Sequence, residues 1–136
     1  MKVLVTGITS PRGRGLAREL AVRGHEIVGV DTSAGAPIEG AVVHALDHRK
    51  RGFEHLVKAL APEVVVHLAV HAGFRLPAAV RHRLNIDGTN RVVELAAAHG
   101  ARRLVVASHA SVYGALPDNP YFMTEDAPPA VGRSAP

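Results

Sequence analysis

The 136-residue chain has no cysteine and no tryptophan, and aromatic residues make up only 4% of it. Without thiols, disulfide frameworks, thiolate metal sites and cysteine nucleophiles are excluded. With few aromatics, the core must be built from Val, Leu, Ala and Ile, which suits a parallel sheet covered by helices. No apolar run reaches the ~20 residues that a membrane span requires. Charge of one sign is not concentrated either. The formal charge of +4 comes from an arginine excess spread over several segments. No Lys/Arg run alternates with aromatics as a base-stacking surface would, so the basic balance reads as a solvated surface and not as a nucleic-acid site. Met1-Lys2 runs directly into the strand-like Val3-Leu4-Val5. That leaves no room for a signal peptide, and a cytoplasmic location is expected.

What is present alternates between strand and helix signals. Lys2 to Thr6, Glu26 to Val30, Ala41 to Ala45, Glu63 to Ala69 and Arg103 to Ser108 read as strands. Between them, Pro11 to Arg23 reads as a helix with Leu16, Ala17, Leu20 and Ala21 on one face. Ser10-Pro11 makes its N-cap and first turn, and Gly24 closes it. Phe53 to Leu60 is a short helix with Leu56 and Leu60 inward. Ala78 to His99 is a long helix turning Leu84, Val92, Leu95 and Ala96 to the sheet. This order predicts an α/β fold, a Rossmann-type doubly wound parallel sheet in three α/β/α layers. It occupies residues 1–114. Residues 115–136 carry five prolines and no amphipathic period, and read as a loop.

The first strand-to-helix turn reads Thr6-Gly7-Ile8-Thr9-Ser10-Pro11-Arg12-Gly13. Gly7 sits where the chain turns off the strand, and Gly13 where the helix packs against it. Backbone N–H groups and the positive helix end there can hold a dinucleotide pyrophosphate. Asp31 closes the second strand, 18 residues after Gly13. A carboxylate at that place binds the adenosine ribose hydroxyls and repels a 2′-phosphate, favouring NAD over NADP. Arg12 joins Thr9, Ser10 and Pro11 in the candidate phosphate-binding set, although solvent-facing roles suit Arg12 and Arg14 best.

The run from Val3 to Asp31 resembles the start of the extended short-chain dehydrogenase/reductases, the NAD-dependent epimerase/dehydratase family. Their turn pattern is T-G-x-x-G-x-x-G. Ser10 stands at the family's middle glycine, so its Cβ hinders the pyrophosphate or its hydroxyl replaces a backbone contact. Four further segments match in family order. The resemblance implies that Asp47, in Leu46-Asp47, contacts the adenine amine, and that the backbone at Leu68-Ala69 lines the nicotinamide ribose. Asn85-Ile86-Asp87-Gly88-Thr89 resembles N-V-x-G-T, placing Asn85 at the cofactor. Ser108 to Gly114 is similar to S-S-x-S-V-Y-G.

In that family a Ser or Thr at the end of the fifth strand orients the substrate oxygen, while a Tyr-x-x-x-Lys pair moves the proton and holds the ribose. The Ser/Thr position falls on His109, flanked by Ser108 and Ser111 as stand-ins. No lysine follows Lys58, so the Tyr-x-x-x-Lys pair is absent. The chain is therefore expected to be the cofactor-binding portion of a longer protein and inactive alone. The longer protein is expected to act on a small molecule, a nucleotide-sugar by resemblance, and to form a homodimer. An atypical module that binds or senses dinucleotide without turnover is the other reading. A methyltransferase-like Rossmann class is disfavoured by Asn85–Thr89 and Val112-Tyr113-Gly114. His44/His48 and His67/His71 stand four apart, but neither pair lies on a predicted helix, and no metal site is expected.

Overall fold

The computed structural model describes residues 1–71, 76–114 and 119–130. Five strands, β1 (Lys2–Thr6), β2 (Glu26–Asp31), β3 (Ala41–Ala45), β4 (Val64–His67) and β5 (Arg103–Val106), form one sheet. Their order is β3-β2-β1-β4-β5 and every pairing is parallel. The helices are α1 (Pro11–Val22), α2 (Arg51–Leu60), α3 (Ala78–His82) and α4 (Gly88–Ala98). The fold is the expected Rossmann-type sheet.

Side-chain alternation along each strand divides the core in two. Val3, Val5, Ile27 and Val66 point to the face covered by α1, where Ala17 is fully buried and Leu16, Leu20 and Ala21 pack around it. Leu4, Val28, Val30 and Val65 point to the opposite face, against α2 and α4. β2 passes to β3 without a helix. The connection instead folds Ile38 down onto the α1 side, where it is buried. The order of strands reverses between β1 and β4, and the crevice above their carboxyl ends is where a doubly wound sheet takes a ligand.

Three expectations change. On α2 the innermost residues are Phe53 and Val57, while Leu56 and Leu60 are half-buried beside them. Both pairs have i,i+4 spacing, so periodicity alone could not choose between them. β4 and β5 are shorter than predicted: they end at His67 and Val106, and Leu68, Ala69, Ala107 and Ser108 beyond them line the clefts. The long helix is not continuous. A π-helical turn, Arg83–Asp87, interrupts it between α3 and α4. Such turns concentrate at functional sites because they re-aim side chains, and this one sets Asn85 and Thr89 beside the crevice. Leu84, within the turn, is only half-buried. Residues 119–130 form turns with no strand or helix, and 115–118 and 131–136 lie outside the described residues.

Candidate functional site

The turn from β1 to α1 is built by close approach. Gly7 has φ +72°, a conformation that excludes most side chains, and a Cβ there would lie 2.7 Å from the Ala69 nitrogen. A Cβ on Gly13 would lie 2.5 Å from the Gly7 carbonyl oxygen. The turn therefore rests on the end of β4, and α1 rests on the turn. Ser10 caps α1: its Oγ accepts from the Gly13 N–H at 3.1 Å and donates to the Gly7 carbonyl at 2.7 Å. The hydroxyl is spent inside the turn and is not presented to a ligand.

Asp31, at the end of β2, faces this turn. Its Oδ2 accepts from the Thr9 hydroxyl at 2.6 Å and from the Thr9 N–H at 3.2 Å, and its Oδ1 from the Thr32 N–H at 2.8 Å. Arg14 was expected to face solvent. Instead its guanidinium donates to the carbonyls of Thr9, Ala36 and Pro37, at 3.2, 2.7 and 3.3 Å, fastening the β2–β3 connection to the turn. These residues bound a cleft of about 200 Å³ lined by Gly7, Thr9, Ser10, Asp31, Thr32, His48 and residues 68–71.

A second cleft, about 380 Å³, opens on the other side of the α1 N-terminus. Arg12, Val70, Asn85, Ile86, Thr89, Asn90 and residues 106–109 line it. His109 and Ser108 thus share a cavity with Asn85. Asn85 is already fixed: its Oδ1 accepts from the His71 N–H at 2.9 Å and its Nδ2 donates to the His71 carbonyl at 3.1 Å, pinning the segment after β4. Ser111 lies on the 3-10 turn Ala110–Tyr113, and its side chain is outside the described residues. Pro11 is the first residue of α1 and is in the lining of neither cleft.

Asp47 does not line either cleft. Arg49 takes both of its oxygens, at 2.9 and 2.5 Å, and this hydrogen-bonded partner holds the carboxyl down at about 2. His48 lines the first cleft in its place. Sequence spacing suggested pairing His48 with His44, and His67 with His71, but the fold brings His48 against His67, ring centroids 5.3 Å apart. His67 is fully buried and hydrogen-bonded at both nitrogens, to the Thr6 hydroxyl at 2.6 Å and the Thr89 hydroxyl at 3.0 Å. This chain of contacts ties β1, β4 and α4 together beneath the crevice. Burial pushes the His67 imidazole down to about 4 and lowers His48 as well. The His48 Nε2 has no hydrogen-bond partner, and it sits where a Cβ on Gly88 would be 2.6 Å away. The sequence spacing marked His48 only beside His44, since its contact with His67 forms when distant segments dock.

Residues 3–134 match the model of the NAD dependent epimerase/dehydratase family. The chain belongs to that family. A 3-diazoavenalumate denitrifying reductase from a Streptomyces species is 39% identical, with 94% of this chain matched to 43% of that protein. A probable UDP-glucuronate 4-epimerase from Rhizobium meliloti (strain 1021) is 31% identical, over 89% of this chain and 41% of its own length. The structure of Thermus thermophilus UDP-glucose 4-epimerase in complex with NAD superposes with a TM-score of 0.83 and 27% identity, over 95% of this chain and 44% of that one. The chain spans less than half the length of these relatives. NAD is the cofactor of the family, and the residues present fit it. Gly7 and Gly13 keep Cβ atoms out of the two closest backbone approaches in the turn, and Asp31 offers a carboxylate beside it.

Proposed function

We propose that this chain binds NAD across both clefts and serves as the cofactor half of an NAD-dependent oxidoreductase acting on a nucleotide-sugar. The observation that carries the reading is the pair of clefts meeting at the α1 N-terminus, one ending at Asp31 and the other at His109. In this reading the adenosine ribose meets Asp31 and the pyrophosphate lies over the α1 N-terminus at the Arg12 N–H. Pro11 has no N–H, and those of Ser10 and Gly13 go to the Gly7 carbonyl and the Ser10 hydroxyl. Asp47, whose carboxylate Arg49 occupies, must give up part of that pairing to meet adenine. NAD supplies hydride acceptance or donation when bound. The protein's part at the second cleft is to position the substrate oxygen, with His109 or Ser108 as hydrogen-bond donor.

A reductase acting on a smaller acid is the second reading, favoured by the 39% identical relative. Two of the relatives carry the names of acids, an avenalumate and a glucuronate. The longer protein would be a cytoplasmic homodimer in either case. Calorimetric titration with NAD and NADP tests the binding reading. NAD should bind at least about tenfold more tightly, and tighter binding of NADP would overturn it. Because this chain holds no Tyr-x-x-x-Lys, the 136-residue polypeptide alone should show no steady nicotinamide turnover. Sustained NADH oxidation by it would contradict that assignment.

A further inference from the structure

The second cleft has a charge that the first lacks. Its lining holds one guanidinium, Arg12, the imidazole of His109, the carboxamides of Asn85 and Asn90, and the hydroxyls of Thr89 and Ser108, with no carboxylate. Val70, Ile86, Val106 and Ala107 supply an apolar wall. Arg12 is exposed at the first turn of α1, and no Asp or Glu among the described residues pairs with it. Its neighbour Arg14 differs completely, being spent on three backbone carbonyls.

We infer that Arg12 is a specificity residue that receives a carboxylate of the substrate in the second cleft, so that the substrate class is an acid. This rests on the proposed function for which cleft holds the reacting end. A planar guanidinium matches a carboxylate with two parallel hydrogen bonds. The pyrophosphate is the alternative partner, drawn to the positive end of α1. Arg12 lines only the second cleft, the one that reaches His109. A substrate carboxylate there would neutralise the guanidinium, which has no carboxylate beside it in the cleft lining.

The test is titration of the protein, with and without saturating NAD, by benzoate against benzamide and by glucuronate against glucose. Amide NMR shifts at residues 106–109 and Asn85 report occupancy of the cleft. At least one acid should bind at millimolar concentration while its neutral counterpart does not. Arg12→Gln should weaken that acid about tenfold more than it weakens NAD, and Arg12→Lys should keep most of the acid's affinity. Benzoate alone binding points to an aryl or alkyl acid, and glucuronate alone to a sugar acid. Either result supports the inference. Equal binding of acid and neutral analogue, no binding by either acid, or equal losses of acid and NAD in Arg12→Gln would overturn it. Acid binding by a protein that does not bind NAD would sink the proposed function while leaving Arg12's role intact.

Discussion

Beside Asp31 the cleft is lined by turn backbone and one carboxylate whose two oxygens already accept three hydrogen bonds from the chain. Beside His109 the cleft is larger, walled by Val and Ile, and carries an arginine with no acidic partner among the described residues. The first end is held from below by the buried Thr6–His67–Thr89 contacts and from the side by Arg14. The second is bounded by β5, an edge strand whose Val105 and Val106 remain 46% and 40% exposed. A site that must recognise one invariant cofactor is prepared in advance, because rigidity lowers the entropy lost on binding. On the proposed reading, the end that would meet a variable substrate is less committed by this part of the chain.

The largest effect should come from breaking the prepared end at its tightest point. Gly13→Val places a side chain into the Gly7 carbonyl, which Cβ would approach at 2.5 Å. Backbone has to move, at a cost of about 1–3 kcal/mol or more. NAD affinity should fall below detection in calorimetry, with a lower thermal midpoint. A variant that binds NAD normally would show that the turn is not the phosphate site. Asp31→Asn should come next. It removes the charge that repels a 2′-phosphate but keeps hydrogen-bonding atoms beside Thr9. NAD should weaken about tenfold and the preference over NADP should shrink or reverse, a change of roughly 1–2 kcal/mol. An unchanged NAD-to-NADP ratio would place the ribose elsewhere.

A pH series adds a test of the buried contacts beneath the crevice, where His48 lines the first cleft and His67 is hydrogen-bonded to Thr6 and Thr89. His67 is depressed by burial to about 4 from an ordinary 6.5. Between those values the unfolded chain binds a proton that the folded chain does not. Stability from this group is therefore fully present above pH 6.5 and is lost as pH falls toward 4. A shift of that size is worth roughly 3 kcal/mol. His48, lowered for the same reason, adds to the loss in the same direction. Urea unfolding measured from pH 7 to pH 4 should show this decline. Flat stability over that range would mean that His67 titrates as a solvated imidazole.

The contrast also separates what sequence can and cannot show. Strand-helix alternation, the glycines of the turn, and Asp31 at a strand end are local features, each readable from neighbouring residues. Ser10 as an N-cap followed by Pro11 was equally local, and the structure has it so. His48 against His67, and Phe53 in preference to Leu56, depend on how distant segments dock. The π-helical turn is of the same kind. Arg83 to Asp87 carry no helix-breaking residue, and the interruption accompanies the seating of Gly88 against His48 and the locking of Asn85 onto His71. Arg14 shows the limit most simply, because a guanidinium's choice between water and three carbonyls is settled only when the β2–β3 connection arrives.

The smallest effect should lie at Ser10, the one departure from the family's glycine pattern inside the prepared end. If its Cβ obstructed the pyrophosphate, restoring glycine would tighten NAD binding substantially. The geometry argues otherwise, because the Oγ lies between the Gly13 N–H and the Gly7 carbonyl. Such a cap stabilises a helix by about 1 kcal/mol when compared with alanine, and by only a few tenths when compared with glycine. Ser10→Ala should therefore lower stability by about 1 kcal/mol, and Ser10→Gly by much less, with NAD affinity in Ser10→Gly within about twofold of the parent. A tenfold gain on Ser10→Gly would mean that the cap is bought at the cofactor's expense. An unchanged affinity would mean that the cap Ser10 places on the Gly13 N–H does not compete with the cofactor.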